Sequence, residues 1–412
     1  MTLRALLVVT LVLTGGPALA AASASRPAQR EAPPPPMVFY VAKGAPDACG
    51  RGCDSWIAIE GQVDSGAALR FRKFLRQIRD RNLPMYFSSP GGNLDQALAM
   101  GVMLRERPVV ARVARTVVNE CGFEAQNGDA CLKLKQSGRE LHGDLWTRGA
   151  MCNSACPYLI LGAATREIAP DTVLAVHSPK VVVHFSAGVP TQQMRAAATE
   201  RGLERADRML SSYVSKMGAD SALLDLAKTV KFESMHILTR EEIARFGIDR
   251  RAFVETPWTF ESNGRSMVRK VAVAKSDTGS YRTLQWRLFC FTAAQFELDF
   301  QRQIPAASTF SAVSISSGGP KPLSFTFPPA KPQGFEIWGL RMTKASVQSL
   351  ADLPQFDFTE TSFAPDGRGL VRPGKFSTEG LAGALDSLLA TCPPQKDIAP
   401  PQANRPQDSA SK

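Results

Sequence analysis

Between residues 38 and 250, short β-prone runs alternate with segments of helical period, and this alternation limits the possible folds more than any other feature. Val38–Ala42, Ser55–Glu60, Pro84–Ser88 and Val109–Val113 read as strands, being rich in β-branched and aromatic residues. Between the second and third, residues 65–81 predict an amphipathic helix whose apolar stripe is Leu69, Phe71, Phe74, Leu75 and Ile78. Residues 93–106 predict another, entered through the Pro90-Gly91-Gly92 turn. Strand followed by helix, repeated, implies a largely parallel sheet covered by helices. The expected class is α/β.

Near residue 260 the pattern changes to short strands, Met267–Ala274, Tyr281–Thr292 and Phe335–Met342, with Gly, Pro and Ser between them. A helix over Glu379–Ala390 closes this part. We expect a first domain at 37–260 and a second, small β-rich domain at 265–393. A chain of 412 residues also exceeds what one core usually organises. The second domain carries no legible chemistry and reads as a binding or structural module.

Residues 1–24 read as a secretory signal. Arg4 is followed by the apolar run Ala5–Thr14, and Ala18-Leu19-Ala20 or Ala22-Ser23-Ala24 would suit cleavage. An uncleaved anchor is the alternative. Residues 25–36 read as a Pro-rich linker and 394–412 as a disordered tail. No later run is long enough to span a bilayer, so the trimmed protein is expected to be soluble, in the periplasm or secreted.

Eight cysteines follow the signal, an even number suited to disulfides in an oxidising compartment. Sequence neighbours suggest Cys49 with Cys53, Cys121 with Cys131, and Cys290 with Cys392, leaving Cys152 and Cys156. Connectivity stays open on sequence alone. Metal binding is the competing use; no cysteine pair has a histidine cluster at ligand spacing, so neither metal nor cofactor is expected. The net charge of +11 comes from basic residues scattered among acids, without a tract of interleaved aromatics. Nucleic acid is therefore not an expected partner.

Three segments in the first domain invite chemistry. Phe87-Ser-Ser-Pro-Gly-Gly-Asn93 ends a strand and opens a helix. Its glycines let the backbone turn sharply and aim N–H groups outward, as an oxyanion site requires, although a plain strand–turn–helix connection would look the same. Met151-Cys-Asn-Ser-Ala-Cys156 precedes an apolar helix, placing the Ser154 hydroxyl near the positive end of the helix dipole; a simple N-cap is the bland alternative. Val173-Leu-Ala-Val-His177 is a strand ending in a residue able to act as a general base near neutrality.

Taken in order, these segments resemble the Clp-protease/crotonase superfamily, and within it the Clp-type serine peptidases. Ser89-Pro-Gly-Gly92, Ser154 and Val176-His177 match its motifs. Ile59-Glu-Gly-Gln-Val-Asp64 is similar to its opening strand, and Leu238–Ile248 to its late helix followed by a Gly-Ile pair. The chain also resembles a group of exported bacterial proteins related to that superfamily. The match covers roughly residues 55–250.

The resemblance implies a Clp/crotonase-like ββα domain. It casts Ser154 as nucleophile, His177 as base, and the N–H groups of Gly92 and Ala155 as the oxyanion hole. The family's His-orienting Asp falls near Met235 here; Glu233 is the nearest substitute and Asp225 a more distant one. Residues 116–150, carrying Cys121 and Cys131, precede the serine and are expected to cap or line its site. Cys152 and Cys156 bracket Ser154, where a disulfide would fix the nucleophile's loop.

The first hypothesis is an exported serine hydrolase acting on a peptide or protein substrate, with a homo-oligomer compatible with the family. The second is a non-catalytic binding protein of the periplasm. A crotonase-like enzyme acting on an acyl thioester ranks last, because that mechanism uses no serine nucleophile.

Overall fold

The computed structural model describes residues 34–393, apart from 79–81, 184, 186–188, 263, 277, 304–309, 317–322, 326–334 and 364–367. The signal segment and the tail expected at 394–412 lie outside the described residues.

The first part runs β1 (Val38–Lys43), β2 (Ser55–Glu60), α1 (Ala67–Gln77), β3 (Met85–Ser88), α2 (Leu94–Arg105), β4 (Val110–Val113), β5 (Arg115–Val118) and α3 (Asp129–Lys135). It continues through β6 (Leu141–Trp146), β7 (Met151–Asn153), α4 (Cys156–Leu161), β8 (Thr165–Glu167), β9 (Val173–Val176), α5 (Gln192–Lys216), α6 (Ala222–Thr229), β10 (His236–Ile237) and α7 (Arg240–Arg245).

Seven strands form one sheet in the order β5-β6-β1-β2-β3-β4-β8. The pairs β2–β3, β3–β4 and β4–β8 are parallel, while β1–β2 is antiparallel. In β2 the run Trp56–Ile59 is buried throughout, as a central strand covered on both faces must be. The fold is thus mixed α/β. A second sheet, β10-β9-β7, pairs β7 with β9 in parallel and β10 with β9 antiparallel.

Local chemistry sets several boundaries. Asn93 caps α2 by accepting the Gln96 N–H at 3.1 Å, and Thr239 with Glu242 forms a capping box on α7. Helices α2 and α4 touch through glycines: a Cβ on Gly162 would lie 2.0 Å from the Gly101 carbonyl oxygen. In α1 the buried face is Ala67, Ala68, Phe71 and Leu75, and Leu69, expected in the stripe, is 72% exposed. At about 100° per residue, Leu69 lies nearly opposite Phe71 on the helix.

The insertion at 116–150 extends the large sheet. Strand β5 pairs with β6, and β6 with β1. Glu60 anchors it by accepting from Tyr40 Oη at 2.8 Å, Lys135 Nζ at 2.7 Å and Thr116 N–H at 2.7 Å. These contacts place the insertion against β1 and β2, so the expectation that it caps Ser154 gives way to a sheet-edge role. Residues 35 and 36, read as linker, also join the fold: Pro35 O accepts from Gln62 N–H at 2.9 Å.

The remainder runs β11 (Phe253–Glu255), β12 (Thr259–Glu261), β13 (Met267–Lys275), β14 (Tyr281–Thr292), β15 (Gln295–Gln303), β16 (Phe310–Ser316), β17 (Leu323–Ser324), β18 (Phe335–Thr343), α8 (Lys344–Ala351), β19 (Gln355–Phe363), β20 (Gly369–Ser377) and α9 (Leu381–Leu389). Antiparallel sheets β11-β13-β14-β15-β18, with β12 on β13, and β17-β16-β19-β20 enclose an aromatic core around Trp286, Phe300, Phe356, Phe358 and Phe376. Arg269 pairs with Asp171 and Glu261, so ionic contacts cross from this core to the α/β part.

The structure joins Cys49–Cys53, Cys121–Cys131, Cys152–Cys156 and Cys290–Cys392. Among the described residues, no helix is long and apolar enough to cross a membrane.

Candidate functional site

Strands β7 and β9 run side by side in parallel, with Asn153 opposite Ala175. The residues that follow them, Ser154 and His177, therefore emerge at the same carboxyl end, where open α/β sheets present their ligands. Ser154 Oγ lies 2.7 Å from His177 Nε2. The pair is 23 residues apart in sequence, and the sheet alone brings it together.

Ser154 does not open the helix directly, nor is it the N-cap. It stands between β7 and α4 at φ +59°, in the left-handed region, and Ala155 is the N-cap. For a residue with a Cβ that conformation costs about 1–2 kcal/mol, and such outliers gather at functional sites. Its N–H donates to Ala175 O at 2.8 Å. The resulting sharp turn throws the side chain out of the strand–helix axis toward His177.

The Ser89–Gly92 turn is built onto β7. Ser89 N–H donates to Met151 O at 2.7 Å, and Ser89 O accepts from Asn153 N–H at 3.0 Å. The fully buried Ser89 hydroxyl accepts from Gly91 N–H at 3.1 Å. Gly91 and Gly92 have φ of +98° and +135°, which their lack of a Cβ allows. Gly91 O accepts from Val63 N–H at 2.8 Å. In a trans peptide the next N–H points the opposite way, so Gly92 N–H faces away from Val63. Neither it nor the Ala155 N–H donates to any described residue.

His177 is 7% exposed. Burial lowers the pKa of its imidazole, while the Ser178 backbone and the Glu233 charge pull the other way. A neutral ring accepting at Nε2 suits a base, and neutrality requires the proton on Nδ1. That nitrogen has no hydrogen-bond partner among the described residues. Glu233 is exposed and influences His177 through its charge without a hydrogen bond, so its expected orienting contact is absent. Asp225 lies on α6, where its charge acts on Lys228. Met235 comes one residue before the His236–Val176 pair, and His177 one residue after it.

What holds the ring instead is a contact the sequence did not flag. Phe232 meets His177 edge-to-face at 4.9 Å, and Lys180 Nζ lies 5.1 Å above the phenylalanine ring. Ser178 N–H donates to Val230 O at 2.9 Å, tying this segment behind the histidine. The only available signal was an apolar residue in the polar stretch Lys231–Ser234.

The fold and site define a mixed α/β protein with a hydrogen-bonded serine–histidine pair packed against the Gly91 turn. No protein-family model matches the chain. No curated protein matches it either. Among solved structures, a mutant form of the 1510-N membrane-bound stomatin-specific protease is similar at a TM-score of 0.29 and 15% sequence identity, over 47% of this chain and 75% of that one. So slight a likeness carries no conclusion about fold or activity.

Proposed function

We propose that the protein is a serine hydrolase of Clp/crotonase-like fold, peptidase-like in its chemistry and working outside the cytoplasm. The single observation that carries this is the 2.7 Å contact between His177 Nε2 and the Oγ of a left-handed Ser154. His177 Nε2 takes the hydroxyl proton as Oγ attacks an acyl carbon, then returns it to the leaving amine or alkoxide. Gly92 and Ala155 N–H groups receive the oxyanion; one such donor is worth about 3 kcal/mol of barrier. Water then attacks the acyl-serine with the same base, releasing acid and free serine. Four disulfides support an oxidising location. The segment from residue 265 is proposed as a domain that binds or braces.

A non-catalytic binding protein is the second reading, favoured by the Nδ1 of His177, which has no hydrogen-bond partner among the described residues. A fluorophosphonate probe separates the two. Labelling of the wild type that vanishes in Ser154→Ala supports the hydrolase; equal or absent labelling supports the binding protein.

A further inference from the structure

A left-handed serine relaxes toward the extended or right-handed regions unless its surroundings forbid it. Four contacts bear on Ser154: its N–H bond to Ala175 O, its Oγ contact with His177 Nε2, the close approach of Gly91, and the bond joining Cys152 to Cys156. Gly91 packs against Asn153 and Ala155 on either side of the strained residue, but only the last contact ties the two sides to each other covalently. Cys152 is fixed within β7, opposite Leu174 and bridged to Ser89. Cys156 opens α4, whose six residues are all buried. Both cysteines are fully buried, so the link is not a surface staple.

Geometry gives the link its effect. Four residue steps would span about 13 Å if extended, yet the two Cα atoms lie 5.1 Å apart. The chain must double back over residues 153–155, and a positive φ at Ser154 accomplishes it.

We propose that the Cys152–Cys156 disulfide is the positioning element that keeps Ser154 left-handed and its Oγ within reach of His177. The effect on reactivity rests on the serine-hydrolase reading; the effect on geometry does not. Where both thiols stay reduced, the serine is present but unaligned, so the site is complete only in an oxidising compartment.

The test compares Cys152→Ala/Cys156→Ala with Cys290→Ala/Cys392→Ala, which removes a remote link. Two quantities are read: the ¹⁵N shift of the His177 imidazole with a crystal structure of each variant, and the rate of fluorophosphonate labelling. In the first variant Ser154 is expected to leave the left-handed region, the contact with His177 to be lost, and labelling to slow at least tenfold. The remote variant should melt at lower temperature yet keep both properties. Persistence of the contact in the first variant, or equal slowing in both, overturns the proposal. If the wild type is not labelled, the hydrolase reading fails, and the imidazole shift still decides the positioning role. Cys152→Val/Cys156→Ala refills the volume should the double alanine variant not fold, and is read in the same way.

Discussion

Gly91 packs against Ser154 so closely that a Cβ at position 91 would lie 2.5 Å from the serine's own Cβ and 3.0 Å from Ala155 N. Its φ of +98° excludes a side chain for a second reason. Gly91→Ala must therefore push the Ser89–Gly92 turn away from β7, carrying the Gly92 N–H with it. We expect labelling of Ser154 to slow at least a hundredfold, since one displaced oxyanion donor alone costs about 3 kcal/mol. Labelling kinetics on folded protein check this; an unchanged rate would detach the turn from the site.

The base form of His177 is the neutral imidazole, so reactivity falls as pH drops through its pKa. Burial puts that pKa below the ordinary 6.5, so the acid limb should lie below that value and the rate should be flat around neutrality. Glu233 favours the charged ring. Glu233→Gln removes that attraction, and the limb should move to lower pH. A limb that moved upward would mean that Glu233 acts otherwise.

Position 235 directly precedes His236, whose register partner Val176 directly precedes His177. Met235→Asp offers a carboxylate to Nδ1, which has no hydrogen-bond partner among the described residues. Holding the correct tautomer is worth several powers of ten in a complete triad, so a rise of at least tenfold in labelling rate is expected. It should be accompanied by an upward shift of the His177 pKa, visible by NMR titration.

Lys135 is 3% exposed and donates to Glu60 at 2.7 Å. Lys135→Ala leaves a carboxylate in the interior without its cation, and breaking such a pair costs about 3–5 kcal/mol. Glu60→Gln combined with Lys135→Met should be much milder, since it removes both charges. Urea unfolding of the single and double variants distinguishes the two outcomes.

Much of the fold was readable because its determinants are local. Ser55–Glu60 was legible as a strand and residues 93–106 as a helix behind the Pro90-Gly91-Gly92 turn, and the structure has β2 and α2 there. Leu69 shows the limit: a sequence stripe does not say which residues of a helix meet the sheet, and the angle around α1 leaves this one in solvent. Residues 116–150 show it again. Adjacency to Ser154 in sequence suggested a cap, while the bond from buried Lys135 to half-buried Glu60 draws them to the edge of the sheet.

By itself the sequence determined the alternating elements, the paired glycines that permit a turn no other residue could make, and the supply of cysteines. Tertiary structure alone decided that Ser154 and His177 meet, because parallel pairing of β7 with β9 adds distant residues at one sheet end. It also decided that Glu233 stays in solvent while Phe232 contacts the histidine. Hydrogen-bond partners across a sheet are set by register, and register is a property of the whole packed core rather than of any segment.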